Sequence, residues 1–219
     1  NLYVGVDGNG IGREELRSER VSFLRPGVGL GCLNDIVWWP GKARQYLLPF
    51  LEWIENMRIP LEYCTGLDLD SGAVALDPYR LVLTIGHDEY WSSPMRDNLE
   101  SYIATGGNVA FFSGNNVWWQ VRSEDNGRAM VCWKEEYEKD PFYKTGNHKL
   151  LSTLWCNTLI NRPENQLTGV SFAYGGYYRF FDKFWDGSGA YTIHRPEHWI
   201  FEGTDLKQGD LLGAQNKIV

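Results

Sequence analysis

Residues 79–93 read YRLVLTIGHDEYWSS and carry the strongest structural signal in the sequence. The first eight of these residues are nearly continuously apolar, as in a strand that is covered on both faces of a sheet. Pro78 marks a turn just before the run. The pattern predicts a central β-strand over 79–86, with a group of polar residues directly at its end.

Helix and strand patterns alternate on either side of this strand. Ser92 or Ser93 is the predicted cap of a helix with Pro94 in its first turn, and Gly106-Gly107 is the expected terminator. The predicted elements are an amphipathic helix over 44–57, a short strand over 61–64, the strand over 79–86, the capped helix with its apolar stripe of Met95, Leu99, Tyr102 and Ile103, and a second buried strand over 108–113. This order predicts an α/β fold with a doubly wound, mostly parallel sheet, whose sites lie at the carboxyl ends of strands.

The C-terminal half has a different pattern. Residues 127–133 and 169–174 alternate in polarity and predict β excursions added to the core, and residues 174–189 predict a loop or cap. No internal repeat is visible, so the length predicts a single α/β domain over 1–219. Because the chain begins at Asn1 and stops in an apolar run, we expect a fragment truncated at both ends.

Composition narrows the class of protein. The formal net charge is −7 and no block of Lys and Arg is present, so nucleic acid is not an expected partner. No run approaches the roughly 18 consecutive apolar residues of a membrane span, so no membrane partner is expected. The four cysteines, Cys32, Cys64, Cys132 and Cys156, have no CxxC spacing and are predicted to be buried thiols, with disulfide pairing as the alternative. A cytoplasmic and a secreted location both stay open.

Candidate catalytic residues follow the two predicted strands. In an extended backbone residues i and i+2 point the same way, so His87 and Glu89 are expected to face one crevice while Asp88 points away. Asn115 follows the second strand and reaches the same edge. The alternatives are that His87 and Glu89 cap the next helix or pair with Arg96, and that Asn115 only provides turn geometry.

Several separated motifs resemble one family in the right order. They are GHDEYWS at 86–92, MRD at 95–97, GGNVAFFSGN at 106–115, WQVR at 119–122, GR at 127–128 with VCWK at 131–134, RPEN at 162–165 with LTG at 167–169, and HWIFEGT at 198–204. Over roughly residues 20–219 the chain is similar to the C-terminal domain of the N,N-dimethylformamidase large (beta) subunit family. The resemblance implies a flavodoxin-like fold of the class I glutamine amidotransferase type, and an amidohydrolase acting on small N-substituted formamides.

The resemblance also implies a metal site. The family holds one ferric ion, Fe(3+), by two tyrosinates and a glutamate, and that glutamate corresponds to Glu89. The neighbouring catalytic histidine corresponds to His87, an active-site asparagine to Asn115 and a lysine to Lys134. Ferric iron is a hard cation that suits phenolate and carboxylate oxygens, so the implied chemistry is consistent with these residue types.

The sequence departs from the family at its other ligands. The first tyrosine is expected before Asn1, and the second falls near Phe23-Leu24-Arg25-Pro26, where Gly27 replaces the usual aromatic residue. A further acidic residue is expected beyond Val219. Tyr3 and Tyr63 are the alternative tyrosines. We therefore expect the fragment alone to bind metal weakly or not at all, and to be inactive.

Two other functions stay open at this point. A non-catalytic or carbohydrate-associated module would present its aromatic residues, such as Trp38-Trp39 and Trp118-Trp119, as a stacking surface. A cysteine-nucleophile amidotransferase would need a cysteine on a sharp turn after a buried strand, and Cys32 lacks such a strand. The expected partner is a small amide, with a homo-oligomer or further domains of a longer chain as open assemblies.

Overall fold

The structure is a computed structural model that describes residues 2, 5–7, 9, 11–24, 47–172 and 191–212. The chain divides into two compact units, Asn1–Tyr174 and Gly175–Val219. The predicted single domain over 1–219 stays a prediction.

The described residues of the first unit form both strands and helices. The strands are β1 Gly5–Val6, β2 Gly12–Arg13, β3 Arg20–Ser22, β4 Leu81–His87, β5 Tyr90–Ser92, β6 Asn108–Gly114, β7 Trp119–Glu124 and β8 Ala129–Val131. The α-helices are α1 Leu48–Asn56, α2 Gly66–Ser71, α3 Ser93–Ala104, α4 Pro141–Thr145 and α5 Asn165–Thr168. Short 3-10 helices occupy Glu14–Leu16, Lys134–Lys139 and His148–Leu150.

The sheets are of mixed strand orientation. β4 pairs with β6 in parallel over seven residues, from Leu81 opposite Asn108 to His87 opposite Gly114. β5 pairs with β7, also in parallel, while β7 pairs with β8 and β8 with β3 in antiparallel ladders. The chain is therefore a mixed α/β protein, and the doubly wound arrangement stays a prediction.

Helix α3 covers one face of the β4–β6 pair. Its start is fixed as predicted, because the Ser92 hydroxyl accepts a hydrogen bond from the backbone N–H of Met95. Leu99 has no exposed surface and Tyr102 is buried. Both belong to the main core cluster, whose buried members are Leu69, Leu76, Trp91, Met95, Leu99, Tyr102, Val117, Leu151, Trp155 and Ile160. The half-buried β4 and β6 residues Val82, Val109 and Phe111 pack against that cluster. The predicted apolar stripe of this helix is thus largely confirmed, although Ile103 is exposed.

Other predictions for local structure are wrong. Residues 61–64 form no strand, and Thr65 instead caps α2. Residues 169–172 form no strand either, because α5 ends at Gly169, which is in the left-handed conformation. On the face of β4–β6 away from α3, Leu81 and Phe112 are exposed, so the two strands are not fully covered on both faces. The predicted excursion at 127–133 is confirmed as β8.

The second unit contains the antiparallel pair β9 Tyr191–Thr192 and β10 Leu211–Leu212, with a 3-10 helix at Trp199–Phe201. Ile193, next to β9, is buried. In the described part of the whole chain, every helix is too short or too polar to cross a lipid bilayer.

Candidate functional site

A bulge between the two parallel ladders forms the centre of the site. β4–β6 pairing ends with His87 opposite Gly114, and β5–β7 pairing begins with Tyr90 opposite Trp119. Two residues, 88 and 89, therefore face four, 115–118, so the second strand carries two extra residues. Bulges re-aim side chains and are frequent next to active sites.

Backbone hydrogen bonds hold this bulge across its whole width. The Asp88 N–H donates to the Gly114 carbonyl, and the Val117 N–H donates to the Asp88 carbonyl, both at 3.0 Å. Asn115 and Val117 have φ angles of 55° and 53°, in the left-handed region that fits the extra length. The end of β4, where the site is predicted, thus lies between the β4–β6 and β5–β7 ladders, and backbone hydrogen bonds hold the two strands together there.

Glu89 and His87 lie together at this bulge. Glu89 is 4% exposed, and its Oε2 lies 2.9 Å from His87 Nε2. Its other oxygen, Oε1, accepts a hydrogen bond from the indole N–H of Trp119 at 3.0 Å. The His87 side chain is 30% exposed and so connects the buried carboxylate to the surface. The prediction that these two side chains face the same way is confirmed.

The structural alternatives for this pair are not met. Ser92, not Glu89, caps α3. Arg96 donates its hydrogen bonds to Glu100 and to the carbonyl oxygens of Arg162 and Pro163, at 2.7, 2.6 and 3.1 Å. His87 and Glu89 are therefore held by neither the helix terminus nor Arg96.

Burial raises the pKa of Asp88, the residue between them. The side chains of Trp91 and Thr84 and the nearby His87 oppose this shift only in part. Asp88 is predicted to point away from the pair, and its neighbours are instead the side chains of Thr84 on β4 and of Trp91.

Lys134 joins the same cluster from a distant part of the sequence. It is 1% exposed, and its Nζ donates a hydrogen bond to the Tyr90 hydroxyl at 3.2 Å. Nζ also lies 4.9 Å from the centre of the Trp119 ring. Burial lowers the pKa of Lys134 to about 8, against the opposing influence of Cys132 and of the Glu89 and Glu135 carboxylates. The amine can thus exchange a proton near neutral pH.

Asn115 is placed at the bulge but is held differently from the other three residues. Its side chain is half-buried and makes no hydrogen bond to any described site residue. The neighbouring Asn116 is the amide that is fixed, because its Oδ1 accepts a hydrogen bond from Ser113 at 2.5 Å. The structure therefore brings His87, Glu89 and Lys134 together, and gives Asn115 the backbone conformation of a turn.

Sequence reasoning did not place Tyr90 and Trp119 in the catalytic site, and it considered Trp119 only as part of a stacking surface. They face each other as the first pair of the β5–β7 ladder, so their side chains lie on the same face of the sheet. The available signal was their position, since Tyr90 follows Glu89 directly and Trp119 opens the next strand.

The other candidate ligands and nucleophiles are less favourable. Tyr63 is 64% exposed, and the positions of Tyr3, Gly27 and Cys32 lie outside the described residues. Cys64, Cys132 and Cys156 are free thiols. Cys64 and Cys156 are exposed, against the prediction of buried thiols, whereas Cys132 is buried. Burial raises the pKa of Cys132 to about 12, so this thiol is a poor nucleophile.

The donor set fits ferric iron in chemical type but is incomplete. Among the described residues, no three His, Cys, Asp or Glu side chains converge on a point. The Glu89 carboxylate is a hard oxygen donor that is held at the bulge by His87 and Trp119. Glu89 can therefore act as one hard oxygen ligand, and the rest of a metal site needs other donors.

A cavity of about 270 Å³ adjoins the cluster through Tyr90. It is lined by Phe23, Thr65, Gly66, Leu67, Asp70, Tyr90, Ser92, Met95, Val121, Ser123, Ala129 and Met130, most of which are apolar. A second cavity, of about 390 Å³, includes Arg80 and Asn108 in its lining. It therefore lies at the N-terminal ends of β4 and β6, and the bulge lies at their C-terminal ends. The first cavity is the one next to the site.

Comparison with known proteins identifies sequences that are similar to this chain. The N,N-dimethylformamidase beta subunit of an Alcaligenes species is 33% identical over 119 residues, which are 53% of this chain and 14% of the relative. The N,N-dimethylformamidase beta subunit of Paracoccus aminophilus is 29% identical over 119 residues, again 53% and 14%. The aligned segment thus spans about one seventh of the length of these relatives.

The family model described as N,N-dimethylformamidase beta subunit-like, C-terminal, matches residues 1–217. This match covers the strand pair, the bulge and the segment that carries Lys134. The chain belongs to the N,N-dimethylformamidase beta subunit-like C-terminal family.

Proposed function

We propose that this chain is the core of an iron-dependent amidohydrolase that hydrolyses the C–N bond of a small amide. One observation carries the proposal: the buried Glu89 carboxylate is bonded to His87 on one oxygen and to Trp119 on the other. A fixed carboxylate beside a half-exposed imidazole provides a metal ligand next to a proton carrier. Family membership and the names of the two relatives support the same reaction class.

Glu89 is the proposed metal ligand. Its burial and its two hydrogen bonds fix the carboxylate in one orientation, which a metal ligand needs. Ferric iron held there would supply Lewis acidity towards the amide carbonyl. The remaining ligands are proposed to come from residues outside the described ranges.

His87 is the proposed proton carrier. Its Nε2 faces Glu89, so Nδ1 is the ring nitrogen that can take up a proton and deliver it to the departing amine. The partial exposure of the side chain gives this nitrogen access to substrate. General acid–base catalysis of this kind typically contributes 10²- to 10⁴-fold in rate.

Lys134 and Asn115 are proposed to orient the substrate. With its pKa lowered to about 8 by burial, Lys134 is still mostly protonated at pH 7 and can stabilise a developing oxyanion. Asn115 lies on the bulge, where its amide can turn towards a bound carbonyl group. The apolar cavity next to Tyr90 favours a small substrate with apolar substituents.

The assembly and the finer fold are also proposals. Both relatives are named as beta subunits, which supports a role for this chain within a multi-subunit enzyme. The parallel β4–β6 pair with α3 on one face supports a doubly wound sheet of the flavodoxin-like, class I glutamine amidotransferase type.

The carbohydrate-associated alternative has less support. Trp119 is buried and meets Trp118 edge to face, with their ring planes at 72°, so this pair offers no flat stacking surface. The second aromatic pair, Trp38-Trp39, lies outside the described residues.

The decisive experiment uses the full-length protein. We expect purified wild type to contain iron and to release amine from N,N-dimethylformamide. Glu89→Gln should lose iron, because a neutral amide is a far weaker ligand than a carboxylate. His87→Ala should keep iron and lose about 10²- to 10⁴-fold in kcat.

Two matched variants control for non-specific damage. Glu55→Gln neutralises an exposed carboxylate on α1 and His148→Ala removes a half-buried histidine from the 3-10 helix His148–Leu150, and both should retain iron and turnover. A wild-type protein with neither iron nor amide hydrolysis would refute the proposed function. Iron retained in Glu89→Gln would refute the role of Glu89.

A further inference from the structure

We propose that Trp119 is a positioning residue that fixes the Glu89 carboxylate and the Lys134 ammonium group relative to each other. The inference rests on the proposed function, because it gives these two groups their roles. It is carried by two contacts of one indole ring: its N–H edge donates to Glu89 Oε1 at 3.0 Å, and its face lies 4.9 Å from Lys134 Nζ.

Trp119 holds Glu89 by backbone as well as by side chain. The Trp119 backbone N–H donates to the Glu89 carbonyl at 2.9 Å, in addition to the bond from the indole. The ladder that begins here pairs Trp119 with Tyr90, the residue after Glu89. Rotation of the Glu89 side chain therefore breaks the indole bond unless the strand pair also moves.

The indole itself has little freedom to move. Trp119 is 4% exposed and packs in a second core cluster with Val21, Val121 and Cys132. Trp118 lies against it edge to face, with ring centres 6.1 Å apart. A side chain locked by packing transmits its own orientation to the groups that it binds.

The Lys134 ammonium group lies over the face of the same ring, whereas Glu89 contacts its edge. An ammonium group within about 6 Å of an aromatic ring centre is attracted to its face, most strongly for tryptophan. The Tyr90 hydroxyl accepts a hydrogen bond from Nζ and so helps to hold the ammonium group beside the Trp119 ring. One rigid ring thus separates a buried carboxylate at its edge from a buried amine at its face.

Trp119 has no acid–base chemistry of its own, since the indole N–H is a donor only. Its effect on the reaction would pass through Glu89 and Lys134. Partners that orient a metal ligand typically contribute 10- to 100-fold in metal affinity or activity. Trp119→Phe keeps an aromatic face for Lys134 and removes the indole N–H that donates to Glu89.

The first test reads the indole bond directly, in the full-length protein stripped of metal. The Trp119 indole N–H signal is assigned through bonds in an NMR spectrum of ¹⁵N-labelled protein. We expect it to move upfield in Glu89→Gln, because an amide oxygen is a weaker acceptor than a carboxylate. The Trp155 indole is the control: it is fully buried, its N–H has no hydrogen-bond partner among the described residues, and its signal should not move. An unmoved Trp119 signal overturns the inference.

The second test measures iron affinity in competition with a chelator. We expect Trp119→Phe to bind iron 10- to 100-fold more weakly than wild type. Trp155→Phe is the same change at a buried ring that lies against Arg96 and Arg162, and it should match wild type. Equal affinity in Trp119→Phe overturns the inference while leaving the proposed function intact. A wild type without iron refutes the proposed function instead, and the indole shift then still decides whether Trp119 holds Glu89.

Discussion

Gly107 shows how little space the core leaves beside α3. A Cβ atom at this position would lie 2.3 Å from Tyr102 ring atoms, far inside van der Waals contact. The ring cannot move aside, because its hydroxyl donates to the Tyr79 carbonyl at 2.9 Å and accepts from the Asn108 N–H at 3.3 Å. We expect Gly107→Ala to destabilise the protein by about 1–3 kcal/mol, the usual cost of overpacking.

Urea denaturation checks this prediction against a matched glycine. Gly114 ends β6, where a Cβ would meet only the Gly86 carbonyl at 4.0 Å, an ordinary contact. Gly114→Ala should therefore cost much less than Gly107→Ala. Similar midpoints for the two variants would mean that Tyr102 gives way after all.

Helix α3 depends on its first hydrogen-bonded turn. The Ser92 hydroxyl accepts from the Met95 N–H at 3.2 Å, and it also donates to the Asp70 carboxylate of α2. Loss of a serine cap costs about 0.5–2 kcal/mol, so Ser92→Ala should lower the free energy of unfolding by that amount or more.

Ser93→Ala provides the control for this cap. Ser93 is the first helical residue, and its hydroxyl only approaches Asp97 at 3.4 Å. Thermal unfolding followed by circular dichroism should show a clear loss for Ser92→Ala and a change within about 0.5 kcal/mol for Ser93→Ala. An equal loss of stability in both variants would contradict the conclusion that Ser92, and not Ser93, caps α3.

The predictable parts of this fold are those with local causes. The cap, apolar stripe and terminator of α3 follow from residues next to one another in sequence, and the runs behind β4 and β6 are equally local. The strand predicted at 61–64 failed because a short apolar run does not reveal whether a partner strand exists. The strand predicted at 169–174 failed over its described residues, because a left-handed turn at Gly169 follows α5 instead.

The candidate site likewise contains some contacts that local sequence predicts and others that depend on tertiary structure. Alternation along one strand was enough to place His87 beside Glu89. The bulge required the register of β4–β6 and β5–β7, which no local pattern gives. Tyr90, Trp119 and Lys134 meet through pairing between distant segments, so their contacts depend on tertiary structure alone.

One buried carboxylate joins several parts of the first unit. Asp140 has no exposed surface, and its Oδ2 accepts hydrogen bonds from Arg122 of β7 at 2.6 Å and from the Ser152 N–H at 3.0 Å. Its Oδ1 accepts from the Phe142 N–H at the start of α4. Strand β7, helix α4 and the loop at 151–153 thus all donate hydrogen bonds to a single carboxylate. Its loss should lower the free energy of unfolding of the whole unit.

The pH dependence of stability follows from this group. Burial alone would raise the pKa of Asp140, but the hydrogen bonds from Arg122, Ser152 and Phe142 outweigh it and hold the pKa below its ordinary value of 3.8. A carboxyl group with a lowered folded-state pKa stabilises the fold fully above its unfolded pKa. That contribution is lost as the pH falls from about 4 through the folded-state value.

Asp140→Asn should therefore destabilise the protein by about 3–5 kcal/mol at pH 7, because it leaves the Arg122 guanidinium facing a neutral amide in a buried setting. Below pH 4 the difference from wild type should narrow, since the wild-type carboxylate is then being neutralised as well. Asp125→Asn removes an exposed partner of Arg20 and should have a far smaller effect at either pH. Urea unfolding at pH 7 and at pH 3 measures all three proteins. A difference between Asp140→Asn and wild type that stayed the same at both pH values would show that packing around residue 140, not its charge, joins these elements.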